Sequence, residues 1–205
     1  MDAGVYPWQI AQWQRTMSSR AAGRVPHAVL LCGPAGLGKA HFARRLAEAL
    51  VCTQPHGDGD ACGSCGSCRL SRAGSHPDLH WVAPEEPGKM IKIDAVRELT
   101  AKSVLSAQDG GYRVFVLDPA EAMNRSAANA LLKTLEEPVA RSVLILVSSH
   151  PDRLPATIRS RCQALKFRIP SAQQVRGWLG SRLGDADLEG LLAVSGGAPL
   201  RALQA

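Results

Sequence analysis

Aromatic side chains and long apolar runs are both scarce in this sequence of 205 residues. Phe, Trp and Tyr together make up 4% of the chain, so its core must be built mainly from aliphatic residues. A hydrophobic content of 45% is ample for such a core and excludes general disorder. The longest apolar run lies near residues 143–147. It is far shorter than the roughly 18 residues that a membrane-spanning helix needs.

The start of the sequence lacks the basic and apolar segments of a secretory signal peptide, so we expect a cytoplasmic protein. Acidic residues are outnumbered: 24 Lys and Arg face 18 Asp and Glu, which gives a net charge of +6. This charge favours anionic partners (nucleic acid, nucleotide phosphates or an acidic protein face) without choosing among them. Six cysteines in a reducing compartment indicate metal ligands or free thiols before disulfides.

Short apolar runs alternate with segments of helical periodicity along most of the chain. The predicted strands are residues 28–32, 79–82, 114–117, 143–147 and 164–169. Helices are predicted around Ile10, Trp13 and Met17, from Lys39 onward, over residues 94–105 with Asp94 as N-cap, and over residues 126–137. This alternation predicts an α/β fold, a parallel sheet flanked by helices. Because the periodicity after Pro170 is helical, we expect an α/β domain over residues 1–169 and a small helical lid domain over residues 170–205.

The sequence GPAGLGK at residues 33–39 follows the first predicted strand and opens a predicted helix. It is the G-x-x-x-x-G-K pattern of a phosphate-binding P-loop, in the structural context that the motif requires. Gly33, Gly36 and Gly38 allow backbone N–H groups to surround phosphate oxygens, and Lys39 adds a positive charge beside the helix N-terminus. The alternative is a glycine-rich turn with an incidental lysine.

Two positions depart from the pattern of an active nucleotide hydrolase. Ala40 stands where a working P-loop carries a Ser or Thr hydroxyl for Mg²⁺, so the loop can bind a nucleotide but should hold the metal poorly. Asp118 ends the predicted strand 114–117, where it either supports Mg²⁺ or caps a neighbouring element. Pro119 replaces the glutamate that orients water in active ATPases, and we expect Glu121 to point elsewhere. We therefore expect no efficient ATP hydrolysis by this chain.

Four cysteines lie close together in the sequence: Cys52, Cys62, Cys65 and Cys68. The last three form two overlapping C-x-x-C steps, and four thiolates at this spacing fit a tetrahedral, structural Zn²⁺ site. An iron–sulfur cluster is the alternative metal centre, and His56 is an alternative ligand. We expect a closed zinc module over about residues 52–68, inserted after the P-loop helix. Cys32 and Cys162 lie on or beside predicted strands and are expected to be buried thiols.

Three further motifs carry a resemblance to a known family: NALLKTLEEP at residues 129–138, SRC at residues 160–162 and GGAPLR at residues 196–201. Together with the P-loop and the cysteine segment, they resemble the delta-prime subunits of the bacterial DNA polymerase III clamp loader, which are AAA+ proteins. The resemblance extends over essentially the whole chain. The first two motifs are shared with the tau/gamma motor subunit, whereas Ala40 and Pro119 favour delta-prime.

The resemblance implies a AAA+ P-loop domain with an inserted zinc module, followed by a helical lid. Members assemble with tau/gamma motor subunits and delta into a hetero-pentamer, which opens a sliding clamp and places it on primed DNA during DNA replication. The complex belongs to the DNA polymerase III holoenzyme, a DNA-directed DNA polymerase and hence a nucleotidyltransferase. Delta-prime itself does not need to hydrolyse ATP. The family also carries a C-terminal collar domain, which we expect to be absent from this sequence.

The resemblance also implies roles for individual residues. Arg161 corresponds to an arginine that is presented in trans to ATP in the neighbouring motor subunit, where a guanidinium stabilises charge on the transferring phosphoryl group. Sensor positions fall at Ser148 or Ser149 and at Arg201. From the residue alone, Arg161 is equally consistent with a surface arginine that pairs with an acidic neighbour. The implied cofactor is a structural Zn²⁺, while ATP with Mg²⁺ is disfavoured in the chain's own loop.

Two other classes of function are consistent with the sequence. One is an active ATPase motor of the tau/gamma type that tolerates Ala40 and Pro119, and the other is a zinc-dependent module that binds nucleic acid. Basic residues close in sequence either contact DNA phosphates or form a solvated or subunit-facing surface: Arg153, Arg159, Arg161, Lys166 and Arg168.

Overall fold

A parallel β-sheet forms the centre of the computed structural model, which describes residues 4–104, 107, 111–183 and 187–204. The strands within these residues are β1 Ala28–Cys32, β2 Leu79–Val82, β3 Arg113–Leu117, β4 Ser142–Ser148 and β5 Gln163–Lys166. Their spatial order is β2-β3-β4-β1-β5. Neighbouring strands are all parallel. Each connection must therefore return the chain from the carboxyl end of one strand to the amino end of the next. The predicted α/β fold is confirmed.

Helices cover both faces of the sheet. The α-helices within the described residues are α1 Ile10–Ala21, α2 Lys39–Val51, α3 Gly66–Arg72, α4 Ile93–Ser103, α5 Arg125–Glu136, α6 Ala156–Arg159, α7 Ala172–Leu183, α8 Leu188–Val194 and α9 Pro199–Ala202. Val29 and Leu31 of β1 pack with residues of α1 and α2, whereas Leu30 packs with residues of α4 and α5. Because successive strand side chains point to opposite faces, a strand covered on both sides is apolar throughout. Within the described part of the chain, no helix combines the length and apolar character needed to cross a membrane.

The two ends of the parallel strands lie at opposite edges of the sheet. The loop 33–39 leaves the carboxyl end of β1, Asp118 follows β3 and Ser149 follows β4. We call this side the carboxyl edge, and the side where the strands begin the amino edge. Arg161 precedes β5 and therefore lies at the amino edge. The fold thus separates the predicted site residues into two groups.

The helices α7, α8 and α9 pack against the first described residues of the chain. Val175 and Leu179 of α7 are buried in one cluster with Trp8. The Trp178 ring meets the rings of Tyr6 and Trp8 edge to face, with centroids 5.4 and 5.1 Å apart. These aromatic contacts hold the C-terminal helices beside the P-loop. The division into domains at residue 170 stays a prediction.

Some local details differ from the sequence-based expectations. Helix α4 begins at Ile93 with Lys92 as its N-cap, so Asp94 lies in the first turn, where its charge faces the positive end of the helix dipole. Strand β5 ends at Lys166 rather than at residue 169, because Phe167 turns into the core after one last hydrogen bond to β1. Ile10 is 47% exposed, unlike Trp13 and Met17 on the same helix. Leu105, the expected end of α4, lies outside the described residues.

Candidate functional sites

Glycines allow other parts of the chain to approach the loop 33–39 closely. Gly38 has a φ of +78°, and a Cβ atom there would lie 2.5 Å from Tyr6 Cε2. A Cβ atom at Gly36 would lie 2.5 Å from Arg201 Cγ, and one at Gly33 would lie 2.1 Å from the carbonyl oxygen of Phe167. Real Cβ atoms essentially never approach other heavy atoms within 3.0 Å. The packing around the loop therefore requires glycine at positions 33 and 38, independently of any ligand. At position 36 the closest atom belongs to the exposed Arg201 side chain, and a φ of +79° favours glycine.

Lys39 is the first residue of α2, and 5% of it is exposed. Its Nζ atom donates hydrogen bonds to the Pro34 carbonyl oxygen at 2.7 Å and to Ser149 Oγ at 3.0 Å. Burial lowers the pKa of Lys39, and the nearby carboxylates of Glu121 and Asp118 oppose that change. The ammonium group is thus held beside the N-terminus of α2, where the helix dipole favours a bound phosphate.

Asp118 and Glu121 bring two carboxylates to the same edge of the sheet. Burial raises the pKa of Asp118, and Glu121 raises it further, whereas Lys39 lowers it. Glu121 Oε1 accepts hydrogen bonds from the backbone N–H groups of Ser149 at 2.9 Å and His150 at 3.2 Å. The turn after β3 directs Glu121 to the end of β4, and its absence from the position of the water-orienting glutamate stays a prediction. With one oxygen bound by two amides, Glu121 orders this strand end.

The residues at the carboxyl edge fit the phosphates of a nucleotide better than the accompanying metal ion. The glycine loop, Lys39 and the start of α2 supply hydrogen-bond donors and positive charge. For Mg²⁺, Asp118 offers a carboxylate, but the exposed Ala40 contributes no oxygen. Of the two predicted sensor serines, Ser149 contacts Lys39. Ser148 is fully buried, and its Oγ has no hydrogen-bond partner among the described residues.

The start of the chain and the C-terminal helices also contact the loop. Trp8 Nε1 donates a hydrogen bond to the Leu37 carbonyl oxygen at 3.0 Å. The backbone N–H of Leu200 donates one to the Gly36 carbonyl oxygen at 3.1 Å. This second bond brings Arg201 to the loop, where its side chain is exposed. The predicted nucleotide-binding residues are therefore gathered at one edge: Gly33, Gly36, Gly38, Lys39, Ala40, Asp118, Ser148, Ser149 and Arg201.

Arg161 lies at the other edge, away from this group. The register of β5 with β1 places Gln163 opposite Val29 and Lys166 opposite Cys32, the last strand residue before the P-loop. Strand β5, which follows Arg161 after one residue, spans about 10 Å from Gln163 to Lys166 at 3.3 Å per residue. The Arg161 side chain is 37% exposed and pairs with Glu136. Glu136 is thus the acidic neighbour that the alternative interpretation of Arg161, as a surface arginine in an ion pair, requires. The pair lies on a surface that does not face the chain's own P-loop.

The basic residues that are close in sequence do not form one patch. Arg159 and Arg161 lie at the amino edge, before β5. Lys166 ends β5 and Arg168 follows it, so both lie at the carboxyl edge, as does Arg153 after β4. The strand separates the two groups by its own length. The five residues therefore form two groups rather than one compact patch, and whether either group contacts DNA stays open.

The four thiols of the cysteine segment converge. The Sγ atoms of Cys52, Cys62, Cys65 and Cys68 all lie within 4.8 Å of one another. The separation is 3.7 Å between Cys52 and Cys62, and 3.9 Å from Cys52 to Cys65 and from Cys62 to Cys68. Tetrahedral Zn²⁺ with Zn–S bonds of about 2.3 Å requires sulfur atoms about 3.8 Å apart, so the cluster fits this metal. Backbone N–H groups of Ser64 and Cys65 lower the pKa of Cys62, which favours the thiolate that binds metal.

The cysteine segment is anchored to helices α1 and α2. Asp60 is buried and forms an ion pair with Arg45 of α2, whose guanidinium lies 5.4 Å from the centre of the Trp13 ring of α1. Helix α3 starts inside the segment, where Cys65 Sγ accepts a hydrogen bond from the backbone N–H of Cys68 at 3.4 Å. His56 is exposed and lies outside the group of four thiols. Four sulfur ligands with no open position indicate a structural metal site.

The contacts of two acidic residues at these sites, Glu121 and Glu136, are not predicted by the sequence. Glu121 lies two residues beyond the position where a glutamate is expected, so spacing alone assigns it no contact. Glu136 belongs to a helix whose apolar pattern indicates only packing. One signal is available for Glu136, because a carboxylate at the last residue of a helix opposes the helix dipole and needs a compensating cation.

Known proteins resemble the chain over most of its length. Residues 8–171 match the family described as "DNA polymerase III, delta subunit". The chain is 48% identical over 205 residues to DNA polymerase III subunit delta' of Pseudomonas aeruginosa, an alignment that covers 98% of this chain and 61% of that protein. It is 40% identical over 201 residues to the protein of the same name from Escherichia coli, covering 97% of this chain and 60% of that protein.

Solved structures share the fold at lower sequence identity. A DNA polymerase III, gamma subunit-related protein from Thermotoga maritima has a TM-score of 0.58 at 20% identity, covering 96% of this chain and 56% of that one. The RuvB Holliday junction branch migration motor of Thermotoga maritima has a TM-score of 0.59 at 17% identity, covering 95% and 58%. The parallel sheet, the P-loop at its carboxyl edge and these likenesses define a AAA+-type fold.

The chain belongs to the family of DNA polymerase III delta-prime subunits, as the family match and the curated relatives show. It spans about three fifths of the length of those two relatives, at 61% and 60%.

Proposed function

We propose that this chain acts in the clamp loader of DNA polymerase III, as a subunit that binds its neighbours and completes the ATPase site of one of them. Its family membership supports this role. A further relative is DNA polymerase III subunit tau of Salmonella typhimurium, which is 34% identical over 154 residues. In this proposal the partners are the tau/gamma motor subunits and delta in a hetero-pentamer. The complex loads a sliding clamp on primed DNA in the cytoplasm.

The position of Arg161 carries the proposal. Its half-exposed guanidinium lies at the amino edge of the sheet, whereas the P-loop lies at the carboxyl edge. An arginine so placed has no access to a nucleotide in its own chain, but it can meet one bound to an adjacent subunit. A guanidinium supplied in trans stabilises charge on the phosphoryl group as it transfers. We assign Arg161 this role and assign the nucleotide sensor positions to Ser149 and Arg201.

The proposal gives this chain no ATPase activity of its own. Ala40 supplies no hydroxyl for Mg²⁺, and Pro119 supplies no carboxylate for the attacking water. The four-cysteine site takes a structural Zn²⁺ that fixes the inserted segment against α1 and α2. The P-loop therefore acts chiefly as a structural element, to which the start of the chain and the C-terminal helices are bound.

A second candidate function is an active ATPase motor, and the arrangement around Lys39 favours it. Lys39 is intact and correctly placed, and Glu121 brings a second carboxylate near it. The two functions differ in what the purified full-length protein does alone. The non-hydrolysing subunit shows no ATP turnover with Mg²⁺ above background. Turnover that disappears in Lys39→Ala would establish the motor function and contradict ours.

The proposed function is tested directly in the reconstituted clamp loader. We expect Arg161→Ala in the full-length subunit to leave the assembly intact and to lower its ATPase activity. The side chain is half exposed, so the substitution should not disturb the fold, which thermal melting of the isolated subunit checks. An assembly with unchanged ATPase activity would remove the trans role.

A further inference from the structure

Arg161 and Glu136 form an ion pair that joins the end of α5 to the turn after α6. Glu136 is the last residue of α5, and Arg161 lies just after α6. Arg161 Nη2 is 2.8 Å from Glu136 Oε1, and Nη1 donates a hydrogen bond to the Thr157 carbonyl oxygen at 3.0 Å. One planar guanidinium is thus held at two points by two different elements, which fixes its orientation.

The position of Glu136 is unfavourable for a carboxylate unless a cation lies beside it. The C-terminal end of a helix carries partial negative charge, which repels acidic side chains. Lys133 is the basic residue in the last turn of α5, but it forms no ion pair within the described part of the chain. Arg161 supplies the compensating charge from the turn that follows α6. The positive guanidinium of Arg161 therefore compensates the negative charge of Glu136 and of the helix end.

The backbone that carries Arg161 is fixed, while its side chain is accessible. Ile158 of α6 is fully buried, and its carbonyl oxygen accepts a hydrogen bond from the Arg161 backbone N–H at 3.1 Å. The side chains of Arg161 and Glu136 are 37% and 50% exposed. A guanidinium has five N–H donors, so its contacts with Glu136 and Thr157 leave donors available for a phosphate.

We propose that Glu136 is a positioning residue for Arg161, which holds the guanidinium in place at the amino edge before a neighbouring nucleotide arrives. This inference rests on the proposed function of Arg161. Exposed ion pairs are weak, so the pair orients the arginine without preventing the small movement that contact with a phosphate requires. Orientation before the reaction lowers the cost of assembling the site.

A double-mutant cycle in the reconstituted clamp loader tests the proposal, with kcat and KM for ATP measured for each full-length variant. We expect Glu136→Ala to lower kcat about threefold to tenfold with little change in KM, because Arg161 acts on the transition state. Glu136→Gln keeps an acceptor oxygen but loses the charge, and we expect an intermediate kcat. In the Arg161→Ala background, Glu136→Ala should cause no further loss.

Glu137→Ala is the matched control. Glu137 is the next carboxylate along the chain, it is exposed, and among the described residues it takes part in no ion pair. We expect the control to keep the kcat of the unmodified subunit. Equal losses of kcat in Glu136→Ala and Glu137→Ala would mean that any negative surface charge in this region has the same effect, and would overturn the proposal.

Three further results would also overturn the inference, and they are distinguishable from one another. Unchanged or higher kcat in Glu136→Ala, with a clear loss in Arg161→Ala, means that the pair does not position the arginine although the arginine is active. An additional loss in the Arg161→Ala background means that Glu136 acts by another route. Unchanged kcat in Arg161→Ala contradicts the proposed function itself, and the role of Glu136 falls with it.

Discussion

The Lys39 ammonium group lies 3.0 Å from Ser149 Oγ, which joins the P-loop to the end of β4. The same strand end is held by Glu121, whose carboxylate accepts hydrogen bonds from Ser149 and His150. A phosphate that binds the Lys39 ammonium group must therefore share it with Ser149 Oγ or replace that hydrogen bond. The loop has its own internal partners, and its geometry does not depend on a ligand.

The nucleotide affinity of the loop is expected to show little dependence on Mg²⁺, because residue 40 has no hydroxyl. Ala40 is exposed, so Ala40→Ser fits without displacing neighbours and supplies the missing metal ligand. We expect ADP to bind this variant about tenfold more tightly with Mg²⁺ than without it. Titration calorimetry with and without Mg²⁺ measures this difference. Ala11→Ser, at another exposed helical alanine, should behave like the parent protein. Equal Mg²⁺ dependence in both variants would count against a metal position at residue 40.

Asp118 is expected to lower the stability of the fold at neutral pH. Burial raises its pKa above the ordinary value of 3.8. Between the ordinary and the raised pKa the folded protein binds more protons than the unfolded chain, so stability falls as pH rises through that interval. We expect Asp118→Asn to melt at a higher temperature than the parent at pH 7, with the difference shrinking toward pH 3.8. Thermal melting across this range measures the effect, and exposed Asp152→Asn serves as the control. A lower melting temperature for Asp118→Asn at pH 7 would contradict this view.

Metal removal should destabilise the chain, because the cysteine segment is fixed to α1 and α2. We expect about one zinc atom per chain, retained on dialysis. Chelation at neutral pH should lower the melting temperature by roughly 10 °C, which corresponds to a loss of about 3 kcal/mol in a domain of this size. Cys65→Ser should lose zinc, whereas Cys162→Ser, outside the cluster, should retain it. Metal analysis and thermal melting measure both effects, and a metal-free protein with an unchanged melting temperature would refute them.

We expect glycine to be required at position 38 for two reasons, its positive φ and the close packing of the Tyr6 ring. Gly23 also has a positive φ, +67°, but a Cβ atom there would meet nothing within 4 Å. Gly23→Ala should therefore cost only the strain of a left-handed residue, about 1–2 kcal/mol. Gly38→Ala adds a clash with the Tyr6 ring and should cost measurably more. Urea unfolding of the two variants compares these costs, and equal values would argue against close contact between Tyr6 and the P-loop.

Sequence reasoning locates most of the fold because burial on both faces of the sheet leaves a clear pattern. Strands β1 and β4 appear as short uninterrupted apolar runs, and the confirmed P-loop context follows from the first of them. The cysteine cluster is predictable for a related reason. Two C-x-x-C steps bring three thiols together locally, so Cys52, ten residues before Cys62, is the one ligand that the tertiary fold has to place beside them.

Contacts between distant side chains are beyond such patterns. Glu136 and Arg161 meet because α5 ends, and β5 begins, at the same edge of the sheet, which spacing along the chain does not reveal. Glu121 reaches Ser149 through a turn whose direction is set by tertiary structure. The five basic residues near β5 illustrate the converse: proximity in sequence suggests one patch, but an extended strand separates them by its length.

The trans role of Arg161 is tested most directly by single-turnover ATP hydrolysis in the reconstituted clamp loader, at the site that this subunit completes. We expect Arg161→Ala to slow hydrolysis there by about 10³-fold, the lower end of what an arginine supplied in trans contributes. Arg161→Lys should restore little, because an ammonium group lacks the planar fork of donors. The exposed Arg159→Ala, from the same segment, is the control and should keep the parent rate. An intact assembly that carries Arg161→Ala and hydrolyses ATP at the parent rate would contradict the role assigned to this residue.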